Sequence, residues 1–470
     1  MRADTPKYRQ LAEQTQRHLE STGQVGDRLM SLRDFASRES VSISTALRVY
    51  EELERSGLVE SRQRSGYFLQ DAAVQRVALP TASGKVPVAR NEKELLDGFN
   101  SIAWHAHKFT AYFASGSPDT STAGAREVCR MIRRMARRDL ENYGPVAGDA
   151  FLRQEIAARA VKSGIETLAD DLIITCGAQE ALFIAINVVT KPGDLIAVET
   201  PTYHGLISAI EQSGRKMIEI PTDSSEGINL PALGLALDEL PVKAIVVSSS
   251  AQNPLGCSMN DNSRQALVAL ANAHDVAVLE DDTHGELLYA RHRQRTLRAF
   301  DTQDRVLTCS SFSKTLAPEL RIGWLDAARW KDKALDFKRA VSQRSARMTQ
   351  QAIARHMAEG HYDRHIRLSR DIYAKRGRDL RAVIAGCFPE GTKISQPSGG
   401  FQLWIEMPQR YSAMDLAKYA LSQDIAISPG KLFSHRGYYG HCVRLCHANY
   451  QPEQRASIEL LGQWLAKCDR

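Results

Sequence analysis

The sequence predicts an α/β protein with a mainly parallel sheet, preceded by a smaller helical module. Beyond about residue 95, short runs rich in β-branched residues alternate with helical segments, which is typical of a buried parallel sheet. Residues 1–69 are instead helical and charged, whereas residues 70–94 show little periodicity. With 470 residues, the chain is also too long for one ordinary domain.

The domain boundaries follow from these changes along the chain. We expect a helical domain over residues 1–69, a linker with scattered Ala, Pro, Gly and Ser over 70–94, and the α/β domain over 95–470. Five apolar runs carry the prediction of the sheet. They occupy residues 172–175, 195–198, 244–247, 276–279 and 305–308.

The composition is that of an ordinary water-soluble globular protein. Hydrophobic residues make up 43% and charged residues 25%, and the net charge of +6 permits nucleic-acid binding without indicating it. The N-terminus is polar, and no stretch approaches the roughly 20 apolar residues that span a membrane. The eight cysteines contain no C-x-x-C pair, so we expect free thiols in a reducing cytoplasm and no zinc site among them.

The N-terminal module shows the element order of a winged helix-turn-helix, which is three helices followed by a hairpin. Ser31 is the expected N-cap of the second helix, with Asp34 in the capping-box position. Ser42 or Ser44 caps the third helix, and Gly57 ends it. The helices are predicted over residues 6–21, 32–40 and 42–54, and the strands over 58–60 and 67–69.

The third helix is the expected recognition helix, because the N-terminal side chains of such a helix lie near base edges while arginines hold phosphates. The residues expected near base edges are Ser42, Ser44, Thr45 and Arg48. The residues expected to hold phosphates or enter a groove are Arg28, Arg33, Arg62 and Arg64. The alternative is a charged helical domain that binds another protein. Basic and acidic side chains nearly balance here, so the order of the motifs, and not the charge, favours double-stranded DNA.

The module resembles the GntR-type winged helix over nearly all of residues 1–69. The resemblance depends on Gly-Asp-Arg-Leu-Met-Ser-Leu-Arg at 26–33, on Ala-Leu-Arg-Val-Tyr-Glu-Glu-Leu-Glu at 46–54, and on Gly-Leu-Val followed by Ser-Gly-Tyr-Phe. The family usually has proline at the position of Met30, a difference that affects the entry into the second helix.

The strongest chemical signal is Ser-Ser-Phe-Ser-Lys-Thr at residues 310–315, directly after a predicted strand. A lysine at a strand end presents the amine that an aldehyde cofactor requires. Ser311, Ser313 and Arg321 supply hydroxyls and a guanidinium, which a phosphate group requires. Taken alone, Ser-x-x-Lys around Lys314 is also compatible with chance or with a β-lactamase-like signature.

Two further segments strengthen the cofactor prediction. Gly177, Ala178 and Gln179 follow a strand and open a helix, whose free N–H groups and positive dipole end can hold a phosphate. Tyr203 follows the next strand, where its ring can stack on a pyridine face or simply cover the core.

Two more segments supply polar groups at strand ends. Asn253 offers an amide to a phenolate oxygen, and either Asp281 or Asp282 can pair with a protonated pyridine nitrogen. All these segments fall at the C-terminal edge of predicted parallel strands, where open α/β sheets bind ligands.

Residues 95–470 resemble a fold-type I pyridoxal-phosphate enzyme of the aminotransferase superfamily. The resemblance implies a smaller C-terminal α+β subdomain and pyridoxal 5′-phosphate as cofactor. It makes Lys314 the Schiff-base lysine, Asp281 the partner of the ring nitrogen, Asn253 the phenolate contact and Tyr203 the stacking ring. The phosphate-binding residues that it implies are Gly177, Ala178, Gln179, Ser311, Ser313 and Arg321.

The resemblance also implies residues that act beyond one cofactor site. Tyr143, in Tyr-Gly-Pro-Val-Ala-Gly, matches a tyrosine that reaches the phosphate of the partner subunit, so we expect a homodimer. Arg444 matches the arginine that clamps a substrate carboxylate, with a structural ion pair as the alternative. One departure concerns the tyrosine that usually follows the ring aspartate. Thr283 and His284 stand there, and His284 can replace its hydrogen bond but adds a group that titrates near neutrality.

The two halves together resemble the MocR-type regulators, in which a GntR-like winged helix precedes an aminotransferase-like domain. The resemblance implies a transcription regulator in which pyridoxal phosphate, alone or with an amine or amino acid, acts as effector. The alternative is a functional class I/II aminotransferase that carries a DNA-binding arm.

Overall fold

The computed structural model describes most of the chain. The described residues are 7–22, 26–55, 58–62, 66–69, 109–134, 143–161, 164–290 and 293–468. The chain divides into two compact units, Met1–Ala78 and Leu79–Arg470. The predicted linker over 70–94 lies outside the described residues, as does the segment 95–108 of the α/β domain, so the exact domain boundaries stay predictions.

The first unit contains the five predicted elements in the predicted order, with bounds that differ by a few residues at most. They are α1 (Lys7–Thr22), α2 (Leu32–Arg38), α3 (Ile43–Arg55), β1 (Val59–Arg62) and β2 (Gly66–Leu69). The strands β1 and β2 are antiparallel, and an isolated bridge joins Arg28 to Phe68. The winged helix-turn-helix is therefore confirmed.

Serine caps and an aromatic core hold the first unit together. The Ser31 hydroxyl accepts the N–H of Asp34 at 3.2 Å and caps α2. The Ser42 hydroxyl likewise accepts the N–H of Thr45 at 3.1 Å at the start of α3. The ring of Tyr50 in α3 packs edge-on against the ring of Phe35 in α2, with 5.1 Å between centroids, and both residues are buried.

The second unit is much larger and alternates helices and strands. Its helices are α4 (Ala123–Arg133), α5 (Ala150–Val161), α6 (Ala178–Val189), α7 (His204–Gln212), α8 (Leu230–Glu239), α9 (Asp261–Ala273), α10 (Lys331–Val341), α11 (Arg347–Ala358), α12 (His361–Cys387), α13 (Ala413–Ser422) and α14 (Arg455–Lys467). Its strands are β3 (Ala111–Tyr112), β4 (Leu172–Thr175), β5 (Leu195–Thr200), β6 (Lys216–Asp223), β7 (Gly227–Ile228), β8 (Val242–Val247), β9 (Ala277–Asp281), β10 (Val306–Ser311), β11 (Gly323–Asp326), β12 (Lys393–Ile394), β13 (Gln402–Glu406), β14 (Ile425–Ala426), β15 (Ser428–Pro429) and β16 (Cys442–Cys446).

The large sheet has the order β4-β11-β10-β9-β8-β5-β6-β7. The five central strands, β10, β9, β8, β5 and β6, pair with one another in parallel in this order. Strand β11 is antiparallel to both β10 and β4. Strand β7 is antiparallel to β6. The carboxyl ends of β4, β5, β8, β9 and β10 therefore lie at one edge of the sheet. The predicted mainly parallel sheet is confirmed.

Helices cover both faces of this sheet, which explains why its strands are apolar almost throughout. In β5, Ile196 and Val198 belong to a core cluster shared with α6, α7 and α10. The intervening Ala197 belongs to a second cluster, shared with α8 and α9. Because side chains alternate along a strand, both faces of β5 are buried.

A smaller α+β region follows the large sheet in sequence. Its antiparallel sheet has the order β12-β13-β16-β15, and β14 pairs in parallel with the early strand β3. The helices α13 and α14 pack in this part of the unit, as the sequence resemblance implies. In the part of the chain that the structure describes, no helix has both the length and the apolar character to cross a membrane.

Candidate functional site

Lys314 lies in the turn that follows β10, at the carboxyl edge of the large sheet. Its side-chain amine donates a hydrogen bond to the carbonyl oxygen of Gly116 at 2.7 Å. Burial lowers the pKa of Lys314 to about 8, and the nearby guanidinium groups of Arg444 and Arg321 act in the same direction. A lysine with this pKa has a substantial neutral fraction near pH 7, which is the form that attacks an aldehyde.

Two adjacent carboxylates at the end of β9 have different surroundings. Asp281 accepts hydrogen bonds from the backbone N–H of Thr283 at 3.0 Å and from its hydroxyl. Burial raises the pKa of Asp281, while the positive charge of Lys314 lowers it, so these two groups interact electrostatically. Asp282 instead forms a buried ion pair with Arg293. Asp281 is thus the carboxylate available to a ligand at Lys314, whereas Asp282 is already paired.

Polar groups from the turn between β10 and β11 cluster beside Lys314. The Ser311 hydroxyl lies 3.0 Å from the Ser313 hydroxyl and accepts the N–H of Ser313 at 3.0 Å. Arg321 donates from Nη1 to the Ser313 hydroxyl at 3.3 Å and from Nη2 to the carbonyl of Cys176 at 2.9 Å. Two hydroxyls and a guanidinium therefore lie together next to the start of α6.

The glycine at the start of α6 permits this close approach. Gly177 has a positive φ of +86°, and a Cβ atom there would lie 2.8 Å from Nη2 of Arg321. Across the turn, a Cβ atom on Gly323 would lie 2.6 Å from the carbonyl carbon of Gly177. Residues Ala178 and Gln179 occupy the first turn of α6, whose N–H groups have no partner within the helix. The Gln179 side chain itself donates to the carbonyl of Gly205 at 2.7 Å.

The two residues expected near the cofactor ring also lie at this sheet edge. Tyr203 precedes α7, and its ring packs so closely over Gly205 that a Cβ atom there would lie 2.5 Å from it. The Tyr203 ring also packs against the core cluster of α6 and α7, so it covers that core as well. Asn253 follows β8, and its buried Oδ1 has no hydrogen-bond partner among the described residues.

His284 does not titrate near neutrality, contrary to the expectation from sequence. The residue is buried and packs edge-on against Phe401, with 5.4 Å between ring centroids. Burial lowers the pKa of His284 to about 3, and the positive charges of Lys314 and Arg444 lower it further. Its Nε2 has no hydrogen-bond partner in the described part of the chain. His284 is thus a neutral group near Lys314.

Arg444 lies in β16 and is 3% exposed. It donates from Nη1 to Oε1 of Gln402 at 3.0 Å and from Nη2 to the hydroxyl of Ser428 at 2.8 Å, and it also donates to the carbonyl of Ala114. Its guanidinium carbon lies 5.2 Å from the ring centre of Phe433. Within the described ranges, no carboxylate pairs with Arg444, so the alternative of a structural ion pair is wrong there.

Tyr143 lies on the surface of the second unit. Its side chain is 88% exposed, and the guanidinium of Arg344 lies 5.1 Å from its ring centre. An exposed tyrosine of this kind is free to contact a second molecule.

The predicted DNA-contacting residues lie in the first unit. Ser42, Ser44 and Arg48 are exposed at the start of α3, and Thr45 is half-buried behind them. Two more arginines are exposed: Arg28 precedes α2, and Arg33 belongs to it. The Arg28 guanidinium lies against Gly66 of the hairpin, where an added Cβ atom would be 3.4 Å from its Nε. Arg64 and the side chain of Arg62 lie outside the described residues.

Three residues that position the site were not predicted from the sequence. Gly116 supplies the carbonyl that holds the Lys314 amine, and Gln402 and Ser428 hold the guanidinium of Arg444. Gly116 and Lys314 are separated by 198 positions, so no local pattern connects them. The only local signal is the small-residue run Ser-Gly-Ser at 115–117.

A largely parallel sheet presents a buried lysine and a carboxylate outside any ion pair of the described residues beside a helix start, which is the arrangement expected of an aminotransferase-like domain. The family model for aminotransferase class I and II matches residues 112–458. The crystal structure of kynurenine aminotransferase from Pyrococcus horikoshii, in complex with PMP and substrates, is similar with a TM-score of 0.73 and 27% identity. The similarity covers 81% of this chain and 95% of that one.

Two curated relatives extend over nearly the whole chain. The uncharacterized HTH-type transcriptional regulator YjiR of Escherichia coli is 36% identical over 93% of this chain and 94% of its own length. The probable rhizopine catabolism regulatory protein MocR of Rhizobium meliloti is 28% identical over 91% of this chain and 87% of its own length. This chain belongs to the aminotransferase class I and II family, in the MocR-type group with an N-terminal helix-turn-helix. The predicted membership is confirmed.

Proposed function

We propose that this chain is a DNA-binding transcription regulator that binds pyridoxal 5′-phosphate at Lys314 and uses it as effector, alone or with an amine or amino acid. The observation that carries the proposal is the buried Lys314 amine, with a pKa near 8, in the same chain as a helix-turn-helix whose third helix exposes Ser44 and Arg48. Relatives of the same architecture that are named transcriptional regulators support the DNA-binding part.

The residues present at the sheet edge fit this cofactor. The hydroxyl of Ser313, the guanidinium of Arg321 and the start of α6 offer donors to a phosphate dianion. Asp281 offers a carboxylate to a pyridine nitrogen, and the side-chain amide of Asn253, whose buried Oδ1 has no partner among the described residues, can donate an N–H to the phenolate oxygen. When bound, pyridoxal phosphate supplies an aldehyde for covalent attachment to Lys314 and an electron-withdrawing ring.

DNA binding at different cofactor states tests the regulator proposal. Duplexes that the wild-type protein selects from a random-sequence pool serve as probes, and fluorescence anisotropy measures affinity with cofactor-free protein, cofactor-loaded protein and loaded protein plus amino acids. We expect the affinity to differ between these states, because an effector acts only through differential affinity. Identical affinities in all three states would contradict the effector role.

Two variants separate the two halves of this proposal. Arg48→Ala should weaken DNA binding by about 1–3 kcal/mol, the range for a base-contacting arginine, without changing cofactor binding. Lys314→Ala should abolish covalent cofactor attachment and the response of DNA binding to cofactor, while the cofactor-free affinity stays at the wild-type value. An unchanged cofactor response in Lys314→Ala would contradict the assignment of the effector site.

We also propose that the active form is a homodimer, in which Tyr143 contacts the cofactor phosphate of the partner subunit. The exposure of this tyrosine supports the proposal. A dimer would also place two winged helices on paired half-sites of the DNA. Light scattering tests the oligomeric state, and Tyr143→Phe should lower cofactor affinity without dissociating the dimer. A monomer that binds cofactor with full affinity would contradict this part.

A second candidate function is aminotransferase turnover, which one observation favours. Arg444 is a buried guanidinium without a carboxylate partner among the described residues, which suits an amino-acid carboxylate. Thr283 and His284 stand where the family usually has a tyrosine, which argues against efficient turnover. Sustained keto-acid production from an amino acid, measured at steady state and lost in Arg444→Gln, would establish this function over pure regulation.

A further inference from the structure

A cluster of two histidines and a glutamate lies where three helices of the second unit meet. Glu127 belongs to α4, His356 to α11 and His361 to the first turn of α12. The Oε2 of Glu127 lies 3.6 Å from Nδ1 of His356 and 3.6 Å from Nδ1 of His361. All three potential ligand atoms lie within 4.8 Å of one another. A metal at about 2.0–2.2 Å from tetrahedral ligands holds them about 3.4 Å apart, which is close to the two separations of 3.6 Å.

Three of the four ring nitrogens in the cluster are buried without a hydrogen bond to the described residues. The side chain of His356 is fully buried, and neither of its ring nitrogens has a hydrogen-bond partner in the described part of the chain. The Nδ1 of His361 is also buried, and it has no hydrogen-bond partner among the described residues. Native proteins rarely leave buried polar atoms unsatisfied, and coordination of one metal ion would satisfy the Nδ1 atoms of His356 and His361, which both face Glu127.

The carboxylate of Glu127 is oriented for a ligand role. Arg364 donates from Nη2 to its Oε1 at 3.3 Å, which leaves Oε2 directed toward the two imidazoles. Hydrogen bonds of this kind to the outer oxygen orient liganding carboxylates in known metal sites. The nearest additional carboxylate is that of Glu359, whose Oε2 lies 3.7 Å from Nδ1 of His361.

An open side of the cluster leads to a surface cleft. Glu127 and His361 line this cleft together with Thr122, Arg364 and Leu368. An ion can enter there, and water can complete its coordination.

We propose that Glu127, His356 and His361 bind one divalent transition-metal ion of the zinc class, which joins α4, α11 and α12. Two imidazoles and one carboxylate are typical ligands of Zn²⁺, Co²⁺ or Ni²⁺, whereas Mg²⁺ and Ca²⁺ prefer oxygen ligands alone. None of these three side chains is among those described around Lys314. Its role is structural, because one ion holds side chains from three helices.

The test is a metal titration of the full-length protein after treatment with a chelator and removal of the chelator. Zinc binding is measured by competition with a chromophoric chelator, with one ion per chain expected. Glu127→Gln and His361→Gln should each lower the zinc affinity at least tenfold, because both side chains reach the cleft and leave the buried His356 in place. His435→Gln, which alters an exposed histidine–carboxylate pair with Glu211, is the matched control and should bind zinc as the wild type does.

Cobalt substitution identifies the ligands directly, which matters because the chain has eight cysteines. Co²⁺ at the proposed site should give a visible spectrum of nitrogen and oxygen ligation without a thiolate charge-transfer band. A thiolate band, or equal zinc affinity in the two ligand variants and the wild type, would overturn the proposal. The proposal is also overturned if the wild type takes up no zinc, because the contact between His361 and Glu127 is then only an ion pair. Circular dichroism of the metal-free variants confirms that a loss of binding is not a loss of fold.

Discussion

The lowered pKa of Lys314 predicts how cofactor attachment depends on pH. Moving the pKa from 10.5 to about 8 raises the neutral fraction of the amine at pH 7 from about 0.03% to about 10%, which is roughly 300-fold. Because only the neutral amine attacks an aldehyde, the attachment rate should rise about tenfold per pH unit below pH 8 and level off above it.

The assay follows visible absorbance after cofactor-free protein is mixed with pyridoxal phosphate between pH 6 and about pH 9.5. N-acetyl-lysine amide in the same buffers corrects for titration of the cofactor itself. Borohydride reduction and peptide mass analysis show that attachment occurs at Lys314.

Two variants should move the midpoint of this pH profile in opposite directions. Arg444→Gln removes a positive charge that lowers the pKa of Lys314, so the midpoint should rise. Asp281→Asn removes a negative charge that raises it, so the midpoint should fall. A wild-type rate that keeps rising in parallel with that of N-acetyl-lysine amide, or two variants that shift the same way, would refute the reasoning.

Three other predictions concern stability and cofactor affinity. Arg293 pairs with buried carboxylates that include Glu286, so Arg293→Met should cost about 3–5 kcal/mol at pH 7 in urea unfolding. Because the pKa of Glu286 is lowered from 4.5 to about 2, this difference should shrink as the pH falls through that range, and a constant difference would contradict it. Gly177→Ala should lower cofactor affinity in equilibrium dialysis at least tenfold, since its methyl group would displace Arg321; wild-type affinity would show that the turn adapts. Ser42→Ala should destabilise the first unit by about 1 kcal/mol, and an unchanged urea midpoint would argue against its capping role.

Local patterns in the sequence predicted the winged helix within a few residues. Ser31 and Ser42 could be predicted as helix caps because a serine hydroxyl accepts a free N–H group at a helix start. This interaction is local and does not depend on the tertiary structure. The parallel sheet could be predicted from the apolar runs, because strands that are buried on both faces are apolar throughout. The sequence therefore predicted which turns lie together at one edge of the sheet. It also predicted that Lys314 lies in one of these turns.

The sequence could not show which of two adjacent carboxylates forms an ion pair, or which distant side chains come together. The sequence resemblance favoured Asp281 over Asp282 as the partner of a ring nitrogen, and the ion pair of Asp282 with Arg293, which supports that choice, is not visible in the sequence. His284 was expected to titrate near neutrality, but its pKa depends on burial, which sequence does not reveal. The cluster of Glu127 with two histidines was missed because more than 200 residues separate Glu127 from both histidines, and cysteine spacing gives no signal for such a site.

The backbone conformation of Arg321 has a consequence for how this protein can evolve. Its φ of +47° and ψ of +42° are left-handed values that cost a residue with a side chain about 1 kcal/mol and cost glycine little. Arginine at this position is thus a stability–function trade-off, in which strain is tolerated so that a guanidinium can reach the start of α6. Glycine at this position would relieve the strain, but it would also remove the hydrogen bonds to Ser313 and Cys176 and the positive charge beside Lys314.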